Sequence, residues 1–138
     1  MFRAVLDANV YVSAYVRPEG PPGQIVERLL RHAAFEVVLS AAIVEEVLQA
    51  LAYPKVLKSA RTKVEPGLWF EDIVVLAQLV TGVDDISPLS EDPDDDKYVA
   101  AAITGRAAFV VSGDSDLLDI REHEGVRIVN PRAFLELL

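Results

Sequence analysis

The chain has 138 residues, 51% of them hydrophobic, carries a net charge of −9 and contains no cysteine. With a mean hydropathy of +0.26, it is not a disordered sequence, and its length suits a single domain, 1–138, with a substantial core. The lack of cysteine excludes disulfides, thiol catalysis and thiolate metal sites, and no apolar run reaches the roughly 20 residues of a membrane span. A cytoplasmic enzyme or binding domain is the expectation. The acidity argues against broad attraction to nucleic acid. Much of it is local, however, since Asp84, Asp85, Glu91, Asp92, Asp94, Asp95 and Asp96 fall within thirteen positions. Basic residues group too, as Lys55, Lys58, Arg61 and Lys63 and as Arg28, Arg31 and His32.

Ala4-Val5-Leu6 reads as a short buried strand ending at Asp7, without the long apolar region of a signal peptide. Asp7-Ala8-Asn9 then opens a short helix over 10–16, and Pro and Gly mark 18–23 as a loop. Over 24–32, Ile25, Val26, Leu29 and Leu30 recur at helical spacing, with Arg28 and Arg31 on the other side. Residues 35–39 form a second strand. Ser40 suits the N-cap of a helix with an apolar face of Ile43, Val44, Val47, Leu48 and Leu51, stopped by Pro54. A basic helix or loop covers 55–63. Pro66 starts a helix to about Val80 that turns Trp69, Ile73, Leu76 and Ala77 inward. A short edge strand is expected over 83–86, a helix over 94–105, strands over 107–111 and 126–129, a short helix over 115–120 and a last helix from Pro131. Strands alternating with helices predict an α/β fold with a parallel sheet.

The strand at 107–111 anchors this reading. Its unbroken apolar run is the pattern of a strand buried on both faces, and it stops at Gly113 just before Asp114 and Asp116. In open α/β sheets the ligand crevice lies beyond the carboxyl ends of the strands, so Asp7, Asp114 and Asp116 are expected at its mouth. Helical phase puts Asp96 on the same face as Val99, Ala100 and Ile103, and turns Asp94 and Asp95 away from it. Glu45 and Glu46 flank their helix's apolar stripe on opposite sides, and phase does not separate them. Asn9, Ser13 and Ser112 are supporting polar groups.

Each acid also has an ordinary explanation. Asp7 and Asp114 can cap helices, Asp96 can complement a helix dipole, and either glutamate can be a solvated surface residue. The set is less ordinary. Two unit charges ~4 Å apart in a partly shielded site repel by about 4 kcal/mol. Four converging carboxylates therefore call for protonation or a cation. All-oxygen donors suit Mg²⁺ or Mn²⁺, ions that neutralise phosphate charge, activate water and steady a leaving oxygen. Metal-assisted hydrolysis of a phosphodiester or phosphate ester is the chemistry implied.

Six segments in register along the chain carry a resemblance. They are Val5-Leu6-Asp7-Ala8-Asn9-Val10, Gly20-Pro21-Pro22, Ser40 with Ile43 and Glu46, Asp92-Pro93 with Asp95-Asp96-Lys97-Tyr98, Val111-Ser112-Gly113-Asp114 with Asp116-Leu117-Leu118, and Asn130-Pro131-Arg132 with Phe134-Leu135. Together they resemble a PIN domain, in particular the bacterial and archaeal toxin components of toxin–antitoxin pairs. The resemblance implies a three-layer α/β/α sandwich around a central parallel sheet of about five strands. It further implies Mg²⁺- or Mn²⁺-dependent endoribonuclease activity, and a homodimer neutralised by a small antitoxin protein. Carried over by position, the catalytic and metal-binding acids are Asp7, Glu46, Asp96 and Asp114, with Asp116 as a fifth; the pattern thus selects Glu46 over Glu45. Ala8 and Ser112 stand where threonine is usual in that family, and Ser112 keeps the hydroxyl.

The expected substrate is single-stranded RNA, able to bend into a narrow cleft, with Lys55, Lys58, Arg61 and Lys63 as candidate backbone guides. A solvated helix face accounts for the same four residues. Two rivals differ in class. A non-catalytic RNA- or partner-binding module would hold its ligand uncut. An aspartyl-phosphate phosphatase would need a second aspartate two residues after its nucleophile, where this chain has Asn9.

Overall fold

The computed structural model describes residues 1–81 and 95–138. Its elements run β1 (Arg3–Leu6), α1 (Ala8–Val16), α2 (Pro21–His32), β2 (Glu36–Ser40), α3 (Ala41–Leu51), α4 (Pro54–Ser59), α5 (Pro66–Leu76) and β3 (Gln78–Val80). They continue with α6 (Asp96–Thr104), β4 (Phe109–Val111), α7 (Ser115–Leu118), β5 (Glu122–His123), β6 (Val126–Val129) and α8 (Pro131–Leu137).

Six strands form the sheet in the order β3-β2-β1-β4-β6-β5. All neighbours are parallel except β5, which pairs antiparallel with β6. The sheet is flanked by helices and matches the α/β expectation, with one short antiparallel strand beyond the expected five. Val5, Leu6, Val37, Val38, Leu39, Val110 and Val111 are wholly buried, which is why these strands read as continuous apolar runs. From β1 the chain winds toward β2 and β3 on one side and later to β4 and β6 on the other. The reversal of strand order between β1 and β4 is the topological switch point at which such sheets form a crevice.

Two sites show how local chemistry sets the framework. Gly105 ends α6 against β2, where an added Cβ would stand 2.7 Å from Val38 Cγ1. Phe134 of α8 meets Phe35 and Phe109 edge-on, with ring centroids 5.1 and 5.6 Å apart, joining that helix to the sheet.

Several boundaries differ from expectation. Helix α2 begins at Pro21, so Pro21 and Pro22 occupy its first turn instead of a loop; a helix's first N–H groups lack intrahelical partners, and proline costs nothing there. Helix α5 ends at Leu76, because Ala77 is extended and Gln78–Val80 pair with Val38–Ser40 of β2. Strand pairing overrides the helical period. Phe70 and Ile73 face the core, whereas Leu76 is 50% exposed. Helix α6 spans Asp96–Thr104, shorter than 94–105. Strand β5 had no apolar signal to mark it. The edge strand expected over 83–86 and all of the acidic residues from Asp84 to Asp94 lie outside the described residues.

Candidate active site

The register of the two central strands brings the first pair of site residues together. Leu6 of β1 is opposite Val111 of β4, so the next residues, Asp7 and Ser112, lie side by side at the carboxyl ends. The Asp7 N–H donates to Val111 O at 3.1 Å, and the Ser112 N–H donates to Val129 O at 3.0 Å, extending the ladder to β6. Asp7 also caps α1, its Oδ1 accepting the Val10 N–H at 3.1 Å. Ser112 is fully buried. Its hydroxyl donates to Asp7 Oδ2 and accepts the Asp114 N–H at 2.9 Å. Asp114 then caps the short α7 through the Asp116 N–H, 3.3 Å from its Oδ1. The helix-capping explanation of Asp7 and Asp114 is therefore correct as far as it goes, but Asp7 also accepts from Ser112 with its second oxygen, and Asp114 caps through Oδ1 alone among the contacts described.

These acids face a cleft of about 180 Å³ lined by Asp7, Ala8, Asn9, Glu46, Ala50, Asp95, Tyr98 and Asp114. Asp95, Asp114 and Asp116 each offer a carboxylate oxygen, all within 4.8 Å of one another. Asp7, only 2% exposed, lines the same cleft. Burial raises its carboxyl above the usual aspartate range; hydrogen bonds from Ser112, Val10 and Asn9 oppose this, and the charge of Asp114 adds to it. The converging oxygens of Asp95, Asp114 and Asp116 form an all-oxygen donor set suited to a hard divalent cation. A larger apolar groove of about 250 Å³ lies between α1, α2 and α5 around Trp69. Among the described residues its one carboxylate, Glu27, pairs with Arg31 at 3.6 Å, so these residues do not offer the converging acids of the first cleft.

Glu46 reaches the cleft from α3 and is held at both oxygens. Lys97 Nζ lies 2.5 Å from Oε2, and the Tyr98 hydroxyl donates to Oε1. The same hydroxyl accepts the Ala8 N–H at 3.1 Å.

A family model described as PIN domain matches residues 3–116. The chain belongs to the PIN-domain family. It is 23% identical over 145 residues to the "Uncharacterized protein MJ1680" of Methanocaldococcus jannaschii, covering 97% of this chain and 90% of that protein. A chain of the crystal structure of VapBC2 from Rickettsia felis, bound to a DNA fragment from their promoter, shares the fold. That likeness has a TM-score of 0.57 at 11% identity and spans 93% of this chain and 98% of that one. PIN domains are generally nucleases, hydrolases of the phosphodiester bond, and an acidic group open to a cation is part of this chain's structure.

Within this PIN domain the expected residues separate. Asp7, Glu46 and Asp114 line the cleft, with Asp116 in the group of converging oxygens. Asn9 lines it as well, and Ser112 links Asp7 to Asp114. Asp95, expected to turn away, is the residue that joins Asp114 and Asp116; Asp96 belongs to neither the cleft lining nor that group. Only a regular helix from residue 94 would turn Asp95 away, whereas it is the N-cap, in a 3₁₀ turn ahead of α6. Ser13 lies one turn too far along α1 and lines a separate recess with Arg17 and Glu19. Lys55, Lys58, Arg61 and Lys63 are exposed on α4 and the following loop, and Arg61 pairs with Glu19 at 3.1 Å. Lys97 and Tyr98 stand in the sequence as members of a family motif, but their contact with Glu46 leaves no mark there, since that partner lies some fifty residues away.

Proposed function

We propose that the chain is a Mg²⁺- or Mn²⁺-dependent endoribonuclease that hydrolyses single-stranded RNA, and that it is the toxin component of a toxin–antitoxin pair. The observation that carries this reading is the convergence of Asp95, Asp114 and Asp116 next to buried Asp7, at the switch point of a PIN-domain sheet. Asp7, Glu46, Asp95, Asp114 and Asp116 would hold the ion, with Asp96 at the margin of the site. When bound, the ion supplies charge neutralisation for the phosphate and a nucleophilic water at neutral pH.

The chain's own residues account for the rest. Ser112 and the α1 cap fix the orientation of Asp7, leaving its carboxylate little freedom. Glu46, at the cleft edge, is the candidate to accept a proton from the attacking water, with Asp116 as the other candidate. Asn9 offers an amide to a phosphate oxygen. Helix α4 begins four residues after Ala50, which lines the cleft, so Lys55, Lys58, Arg61 and Lys63 guide an RNA backbone leaving it.

The fold likeness to VapBC2 supports an antitoxin partner; a homodimeric, cytoplasmic state belongs to the same proposal and rests on the family resemblance alone. No helix among the described residues is long and apolar enough to cross a membrane. The deciding assay follows end-labelled single-stranded RNA with Mn²⁺, with EDTA, and with the Asp114→Asn variant. Cleavage confined to the unaltered chain with Mn²⁺ is the expected result. Equal cleavage in all three, or none in any, would overturn the reading.

A further inference from the structure

We propose that Tyr98 is a positioning residue of the acid cleft, whose hydroxyl holds Glu46 in fixed relation to Asp7; this rests on the metallonuclease reading above. The phenol is 2% exposed, and a buried hydroxyl requires partners. Its two partners come from different parts of the fold. It accepts the N–H of Ala8, the residue after Asp7, and donates to Oε1 of Glu46 on α3. The Ala8 N–H is among the first of α1 and has no intrahelical acceptor, so it is free to fix the phenol at the β1–α1 junction. A single oxygen from α6 thereby connects the segments carrying Asp7 and Glu46.

Core packing does not explain the hydroxyl. Phenylalanine would fill the same space and make the same ring contacts, but it would leave the Ala8 N–H and Glu46 Oε1 without this partner. Glu46 is also the residue that most needs positioning. Its side chain is 33% exposed, and a long glutamate side chain at a cleft edge otherwise samples several rotamers. Lys97 holds the other oxygen from the rim, while Tyr98 holds its own from the interior. Groups that orient metal-binding carboxylates typically affect metal affinity about 10–100-fold.

A double-mutant cycle read by calorimetric Mn²⁺ titration of the full chain tests this. Tyr98→Phe should weaken Mn²⁺ binding about tenfold. Glu46→Gln and the Glu46→Gln/Tyr98→Phe double variant should bind within about twofold of each other, because the hydroxyl then has no carboxylate to position. Unchanged affinity in Tyr98→Phe, or an equal loss in the Glu46→Gln background, would overturn the proposal. If Tyr98→Phe loses its near-ultraviolet circular dichroism, Glu46→Asp replaces it. That variant draws the carboxylate back by one methylene from the phenol, and should lose Mn²⁺ affinity comparably while its melting temperature holds; full affinity would contradict the proposal. Failure of Mn²⁺ to bind the unaltered chain would overturn the metallonuclease reading and this proposal together. Binding without coupling between Tyr98 and Glu46 would overturn this proposal alone.

Discussion

Asp7 and Ser112 meet across the ends of two adjacent parallel strands, the serine hydroxyl donating to Asp7 Oδ2 while it accepts the Asp114 N–H at 2.9 Å. One buried oxygen thus sets the separation of two acids from opposite halves of the chain. Val5, Leu6, Val110 and Val111 of the two strands are wholly buried, which limits how far the carboxylates can drift apart to relieve their repulsion. Burial and the nearby Asp114 charge both raise the Asp7 carboxyl. A divalent ion is the natural counterweight.

Removing the shared hydroxyl should be costly. Ser112→Ala strips Asp7 Oδ2 of a donor and the Asp114 N–H of an acceptor inside the sheet, and an unsatisfied buried polar group costs about 1–3 kcal/mol. Urea denaturation should show a loss of that size with an unchanged m-value. A loss near zero would mean that the hydroxyl does not bind the two acids together.

The pH dependence of stability follows from Asp7. Its folded-state carboxyl is raised relative to the unfolded chain, so between the ordinary aspartate value and the raised one the native state holds a proton that the unfolded state has released. Without metal, this contribution to stability is greatest below that window, falls as pH rises through it, and is lost above it. Asp7→Asn, which keeps a capping side chain, should remove this component and raise the metal-free melting temperature at pH 8 by roughly 2–4 °C. It should also abolish stabilisation by Mn²⁺. Differential scanning calorimetry across pH, with and without the ion, checks both.

Lys97 should act against the ion. Its ammonium sits on Glu46 Oε2, where it competes for the oxygen and repels a second cation. Lys97→Gln should therefore tighten Mn²⁺ binding by about two- to fivefold, the scale of one partly exposed charge pair. Weaker binding, measured calorimetrically, would mean that the ammonium supports the site.

The two acids at the entrance to α6 should be unequal. Asp95 converges with Asp114 and Asp116 and Asp96 does not, so Asp95→Asn should cost about tenfold or more in Mn²⁺ affinity beyond the cost of Asp96→Asn, in line with the Coulomb energy of one nearby charge. The reverse order would restore the assignment that helical phase suggested.

That exchange shows where sequence reasoning reaches its limit. Strands β1 and β4 were legible because burial on both faces writes itself as an unbroken apolar run, and the acids after Leu6 and Gly113 followed from the rule for sheet crevices. Helix α3 and its glutamate face were legible in period, and family resemblance selected Glu46. Asp95 was misread because a helix's phase does not extend through the turn that precedes it. Strand β3 was hidden because Gln78–Val80 owe their conformation to β2, a distant partner. The Tyr98–Glu46 contact was invisible for the same reason: it joins residues that the fold alone brings together.

Anomalous diffraction from a Mn²⁺-soaked crystal would test most directly whether these carboxylates form a metal centre. A peak in the cleft bonded to oxygens of Asp114 and Asp95, with Asp7, Glu46 or Asp116 completing the protein ligands, is the expected result. A cleft without a peak at saturating Mn²⁺, or an ion bound only elsewhere on the molecule, would contradict it.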